Sequence, residues 1–425
     1  MPDVLRAIVP HWLVHRLVAN YWMLAVCATL AALPLAYGVL LVDRNGATAW
    51  LLAQGMAPVA TADTAKDFVG VAAGVNAAFI ALYFSITLIV LSLAAGNLGV
   101  RLIDRWLKRR LVRVSLAGLS FSQIVTLVAA LAIDGEAPLA ETPLLLVATV
   151  MLLQAVNVAM LAVSLHALGR TMFVDDSIDR VADDACACTL ALTSVAQVPA
   201  ALPHILRSRR EGYVEEVDHA ALVAAFADGA ARVVVHAAPG QHVMAGEALL
   251  SADVPFDAAA LRPSLPIGGY RSDHQGTVFH IRLLVEIAAR ALSPAINDFY
   301  TAITCADKLA AIMESHADRW VRVGHAPALA SRPWLILEGQ DFRSLFDDPL
   351  SALRQAASAY PSVTIRLIDN LGRLTHRLEK QAEPELLQFL RTEAAQLRDH
   401  AMTLAQIDGD RADIATAYAR SFERA

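Results

Sequence analysis

The stretch Val69–Arg110, "VGVAAGVNAAFIALYFSITLIVLSLAAGNLGVRLIDRWLKRR", decides how this chain is built. Its first part, about Val69 to Ala95, carries no charged side chain. It exceeds the roughly 20 residues needed to cross a hydrocarbon core about 30 Å thick. A bilayer offers no water to backbone amides and carbonyls, so such a segment has to be a helix. The second part reverses the chemistry. Arg101, Arg105, Lys108, Arg109 and Arg110, with Arg113 just beyond, face a single acid, Asp104. Basic loops stay on the cytoplasmic side, and such a cluster can also hold anionic lipid head groups.

Three further segments are long and apolar enough to span, at about Tyr21–Val42 (interrupted by Pro34), Leu111–Ile133 and Pro143–Leu168. The loop between the last two, "DGEAPLAET", holds only acids. With the basic loop inside, four crossings place both termini in the cytoplasm. The first segment is too long for a signal-peptide core and has no convincing cleavage site, so it reads as a retained anchor. Hydrophobic residues make up 56% of the 425 and charged ones 18%, below the roughly 25% of a soluble domain. That apolar excess lies before about residue 170. The net charge of −6 gives no basis for nucleic-acid binding.

At helical spacing, Asn76, Tyr83, Thr87 and Asn97 share one stripe of the second span, while Gly74, Ser85, Ser92 and Gly96 share the opposite one. The third span offers Ser115, Ser122 and Thr126, and the fourth Gln154, Asn157 and Ser164. Two readings stand side by side. The stripe Asn76, Tyr83, Thr87 and Asn97 lines a water-filled path in a homo-oligomer, or the polar groups tie the helices together. Apart from His166 near the cytoplasmic end, nothing ionisable sits mid-span, which speaks against ion-coupled transport.

Beyond the spans the pattern is mixed. Asp176, Asp179 and Asp183 share a helical face, best read as a solvated acidic surface rather than a cation site. A small β-rich module follows at about 211–255. Its "PGQHVMAGEALL" resembles the hairpin of biotinyl- and lipoyl-type barrel-sandwich domains, but the module contains no lysine to carry a swinging arm. Cys186 and Cys188 are badly spaced for a metal on a helix. No Ser/His/acid set, metal-spaced His/Cys group or phosphate-cradling loop is evident, so neither a catalytic site nor a cofactor is expected.

Further on, "VFHIRLLVEIAARAL" (278–292) has a helical apolar face of Ile281, Leu284, Val285, Ala288 and Leu292, flanked by Arg282, Glu286 and Arg290. Pro294 should end that helix at Ser293. Asn297 or Asp298 should cap a second helix from about Phe299 to Met313. The bend brings Arg290, Ser293, Asn297 and Asp298 within reach of one another, either as an anion or partner site or as a capped turn.

"LVEIAARALSPAINDFYTAITCADKLAAIM" closely resembles the hallmark of a bacterial family of predicted membrane proteins, the domain of unknown function 2254. "YFSITLIVLSLAAGNLGVRLIDRWLKRR" is similar to that family's second span and basic loop. Two positions depart from the pattern, with Phe299 and Val100 standing where prolines are usual. The resemblance implies several spans with a cytoplasmic domain, in the bacterial inner (plasma) membrane, but no activity. The expected fold is thus an α-helical membrane bundle of four transmembrane helices, both termini cytoplasmic, followed by a mixed α+β cytoplasmic domain. Its parts are a transmembrane domain at 1–170, a helical linker at 171–210, the β-rich module at 211–255 and a mainly helical domain at 256–425. The lipid bilayer and its anionic head groups are the expected partners. Two functions follow: a homo-oligomeric passive conduit gated or scaffolded by the inner domain, or a membrane-anchored binding or scaffolding protein that uses the bend.

Overall fold

The computed structural model describes residues 22–98, 110–170, 174–187, 190–196, 202–226, 232–380 and 382–423. They fall into two compact units, with Val174–Ala425 making up nearly all of the second.

The first unit is helical. Helix α1 (Met23–Val42) continues through a π-turn at Asp43–Ala47 into α2 (Thr48–Ala53), so the apolar rod is longer than the sequence implies. Gly46, at φ 113°, supplies the backbone break inside that turn. Helix α3 (Ala62–Leu98) runs 37 residues, about 55 Å, and begins seven residues before the charge-free stretch. Asp63 in its first turn suits the positive end of the helix dipole, which is why charged residues could be absorbed there. Helices α4 (Arg110–Ala132) and α5 (Leu144–Arg170) complete the unit. Four helical stretches here are long and apolar enough to cross a membrane: Met23–Ala53, Ala62–Leu93, Arg110–Ala132 and Leu144–Gly169.

Alanines and valines let these helices approach closely. Ala32, Ala36, Ala65, Val69, Ala129 and Val147 are wholly enclosed. The Gly74–Gly96 stripe takes no part in this, because Gly74, Ser85 and Ser92 are exposed and no atom lies within 4 Å of where a Cβ on Gly74 would sit. Large apolar side chains point outward on all four rods, including Leu30, Leu88, Leu131 (89% exposed) and Leu152. The unit thus exposes large apolar side chains and packs small apolar ones inside, with a few enclosed polar groups such as Asn76, Ser122, Thr126 and Asn157 among them.

The second unit joins a sheet layer to a helix bundle. Six strands pair in the order β1 (Leu192–Ala196), β8 (His325–Leu329), β9 (Arg332–Leu337), β4 (Val233–Val235), β6 (Ala248–Ala252) and β2 (His204–Arg207). All neighbours are antiparallel except β4 and β9, whose parallel register sets Val233 against Leu335. Alternate residues serve opposite faces. Val233, Val235, Leu335 and Leu337 enter the main core with Leu222 and Leu250, while Val234, Ala328 and Ile336 form a second cluster. A smaller sheet pairs β5 (His242–Val243), β3 (Gly212–Val214) and β7 (Ile267–Gly268) in that order.

The β-rich stretch 211–255 thus does not close on itself. Its strands β4 and β6 are continued by β9 and β2, which lie outside it, and β5 pairs with β3 rather than β6. The stretch 171–210 holds helix α6 (Val174–Cys186) but also strands β1 and β2. Edge strands this short carry too little alternation to be read without their partners.

Helices α7 (His219–Ala225) and α8 (Ala258–Leu261) are short. The bundle proper consists of α9 (Thr277–Ala291), α10 (Phe299–Ser315), α11 (Phe342–Ala357), α12 (Pro361–Leu378), α13 (Pro384–Leu404) and α14 (Asp408–Phe422). Helix α9 packs on α6, α10 and α11, and α12 packs on α10, α13 and α14. The five residues of the predicted α9 face, Ile281, Leu284, Val285, Ala288 and Leu292, are all buried.

Candidate functional site

Four places concentrate chemistry: a polar seam and a carboxylate cap in the first unit, and the Ser-Pro bend and an arginine-lined cavity in the second.

In the seam, Asn76 Nδ2 donates to Ser122 Oγ and Thr126 Oγ1, both at 3.2 Å. Asn157 Nδ2 donates to Asn76 Oδ1 at 2.9 Å and to Ser122 Oγ at 2.8 Å. Three helices are thereby joined through four side chains, each less than 2% exposed. Ser115 and Ser164 share a 2.6 Å hydrogen bond, and Gln154 Nε2 donates to Ala72 O at 3.0 Å. Tyr83 is buried and donates its hydroxyl to Val112 O at 3.3 Å. Thr87 is also buried, and its Oγ1 meets no partner among the described residues. Asn97 falls in the last turn of α3, where its side chain lies outside the described residues.

Asp43 went unnoticed in the sequence. It sits in the π-turn, 6% exposed, and its Oδ1 and Oδ2 accept from Leu145 N and Leu146 N at 2.9 Å each. Thr48 Oγ1 donates to Oδ1 at 2.9 Å. The carboxylate of one rod thus caps the N-terminus of another, satisfying amides that apolar surroundings would leave bare. The available signal was an acid standing directly after the expected end of an apolar run at Val42.

At the bend, Asp298 is the cap. Thr301 N donates to its Oδ1 at 3.1 Å and Thr301 Oγ1 to its Oδ2 at 2.6 Å. Asn297 takes φ 50°, the left-handed conformation that asparagine tolerates best after glycine. Ser293 contributes its backbone carbonyl, which accepts from Ile296 N and Asn297 N at 3.1 and 2.9 Å. Tyr360 Oη donates to Leu292 O at 2.6 Å and pins the turn to the bundle. Arg290 stands half-buried on the last turn of α9. A carboxylate from the chain itself therefore occupies the start of α10, where an external anion would have to bind. Pro294, Asn297, Phe299 and Tyr300 are exposed beside it.

The basic-loop residues Arg101, Arg105, Lys108 and Arg109 lie outside the described residues, while Arg110 opens α4 and is exposed. On α6, Asp179 pairs with Lys308 at 2.7 Å and Asp176 with Arg180. Among the described residues no three His, Cys, Asp or Glu side chains are placed to hold a metal ion. Burial pushes the Cys305 thiol well above its ordinary range, away from thiolate chemistry.

The cavity, of about 540 Å³, opens between α12, α13 and α14. Arg366, Arg373 and His376 from α12, Arg391 from α13, and Arg420 and Phe422 from α14 line it. Its floor is set by Gly372, where a Cβ would come within 2.6 Å of Ser421 Cβ. Arg366 is held by Asp307 at 2.6 and 2.7 Å. Burial raises the Asp307 carboxyl, but hydrogen bonds from Arg366 and Asn370 outweigh it and keep the group below its usual range. Arg420 is held by Asp369 at 2.7 and 2.9 Å. A second cavity of about 590 Å³ beside β1 carries Glu314, Asp318, Glu383 and Arg377, of which Glu314 and Arg377 pair at 2.8 Å.

Among the described residues, four rods long and apolar enough to cross a membrane, joined in one chain to an α/β body, are the architecture of a predicted membrane protein with an appended folded domain. The chain belongs to the family described as "Predicted membrane protein (DUF2254)", which it matches over residues 19–373. No curated protein and no solved structure matches it.

Proposed function

We propose that this is an integral protein of the bacterial inner membrane, with both termini in the cytoplasm, whose helices form an anchor closed on itself and whose α/β body is a binding module. One observation carries the reading. The polar side chains of the rods hydrogen-bond to one another inside a single chain, while the large apolar ones face outward. A bundle whose polar groups are spent on each other has adhesion between its helices and little left to line an aqueous path. That favours the anchored binding protein over the conduit formed by Asn76, Tyr83, Thr87 and Asn97. The basic loop, Arg101 to Arg113, then holds the cytoplasmic face against anionic head groups, and the bend serves as a capped turn.

Proteoliposomes test this. The purified chain should leave ion gradients as tight as in protein-free vesicles, and Asn76→Leu should lower stability without changing leakage. A flux that requires the protein and falls on Asn76→Leu or Thr87→Leu would return the conduit to first place.

A further inference from the structure

We propose that the cavity between α12, α13 and α14 binds a phosphate group carried by a small molecule. The proposal rests on the reading of the second unit as a binding module and names its ligand class.

Charge bookkeeping inside the cavity gives the reason. Arg366 and Arg420 are neutralised by Asp307 and Asp369, which take them in two-point contacts. Glu379, the other acid in the lining, lies 3.3 Å from His376. Arg373 and Arg391 remain. Arg373 donates to the neutral amide oxygen of Asn370, and Arg391 has no hydrogen-bond or ion-pair partner among the described residues. These two guanidiniums, from different helices and without a carboxylate in hydrogen-bond contact, thus open onto one concavity, where four arginines face only three carboxylates, Asp307, Asp369 and Glu379. A guanidinium presents a planar fork of donors that matches phosphate oxygens two at a time. Phe422 adds an apolar wall, and about 540 Å³ lies within the range of small-molecule sites. The matched family region ends at residue 373, so Arg391, Arg420 and Phe422 lie beyond it.

A phosphate group reaches such a site either on a soluble metabolite or on a lipid head group. The full-length protein in neutral detergent is titrated with inorganic pyrophosphate and, separately, with a short-chain soluble phosphatidylglycerol. Heat of binding and unfolding temperature are the readouts. At least one probe should bind and raise the unfolding temperature, and the tighter of the two identifies the source. Arg373→Gln with Arg391→Gln should weaken binding by roughly tenfold or more. The double variant should keep its fold, with only a small fall in the unliganded unfolding temperature from the lost Arg373–Asn370 hydrogen bond. Arg332→Gln, on β9 outside the cavity, should bind as wild type. Absence of binding by both probes overturns the proposal, as does binding that the double variant retains in full. Leaky proteoliposomes would instead overturn the closed-anchor reading and leave these titrations unaffected.

Discussion

Removing the Asp43 carboxylate should unfasten the adjoining ends of two rods. Three donors converge on it, Thr48 Oγ1, Leu145 N and Leu146 N, all at 2.9 Å. Hydrogen bonds to a charged acceptor are worth about 1.5–3 kcal/mol each when one partner is deleted, and loss of a helix N-cap about 0.5–2. The contributions overlap, because Thr48 keeps Thr142 O and Leu144 N as partners at 3.0 and 3.2 Å. Asp43→Ala should therefore cost about 3 kcal/mol. Asp43→Asn keeps one acceptor oxygen but turns an amide NH₂ toward a backbone N–H, so about half that loss is expected. The assay is reversible unfolding of the detergent-solubilised chain in increasing SDS, followed by tryptophan fluorescence, with Trp50 lying in the adjoining α2. An Asp43→Ala protein within about 0.5 kcal/mol of wild type, or one more stable than Asp43→Asn, would refute the cap.

Other perturbations follow from the same geometry. A double-mutant cycle on Asn76→Leu and Asn157→Leu should give a coupling of about 0.6–1.7 kcal/mol in the same SDS titration, and additivity would show the seam bond at 2.9 Å to be idle. Asp298→Ala should cost about 1–2 kcal/mol in thermal unfolding, whereas Asn297→Gly, at φ 50°, should be close to neutral. His316 is 1% exposed, and burial, with help from Arg319, lowers its pKa from 6.5 to about 4. The unfolded chain then binds a proton that the native state refuses, so stability is full above pH 6.5 and falls as pH drops toward about 4, by about 3 kcal/mol. His316→Gln should flatten that acid limb in a pH series of melting temperatures; His219, also lowered by burial, leaves a residual slope.

Long apolar helices are legible because a span must obey one rule at every residue, and among the described residues four rods long and apolar enough to cross a membrane stand where uncharged length demanded them. Their ends were less visible. Lys66 and Asp67 lie within α3, since charged residues at a membrane boundary cost little. Helical periodicity also gave the buried face of α9, and residue type narrowed the cap of α10 to Asn297 or Asp298, of which Asp298 is the one used. Strands β1 and β2 were missed because an edge strand acquires its meaning from a partner more than 40 residues away: Leu192 pairs with Leu329, and His204 with Ala252. Asn76, Tyr83 and Thr87 of the α3 stripe are buried, but periodicity does not say whether a stripe faces a neighbouring helix of the same chain or another chain.

The arginines of the cavity show where sequence reasoning fails and where a trace survives. Asp369 and Arg373 are four apart on α12, the spacing at which an acid followed by a base pairs along a helix. From sequence alone Arg373 would count as neutralised. In the fold, Arg420 from α14 takes both oxygens of Asp369, and Ser421 Oγ adds a third contact at 3.2 Å, so Arg373 is displaced onto Asn370. A long-range pair wins over a local one because α12 and α14 touch at Gly372, bringing the Arg420 guanidinium to Asp369. Arg391 carries the surviving trace, as no acid stands three or four positions from it on α13. Most solvated helix faces alternate charges at those spacings, and an arginine denied such a neighbour has to find its counter-charge elsewhere. In this chain the phosphate proposed for the cavity would supply that counter-charge.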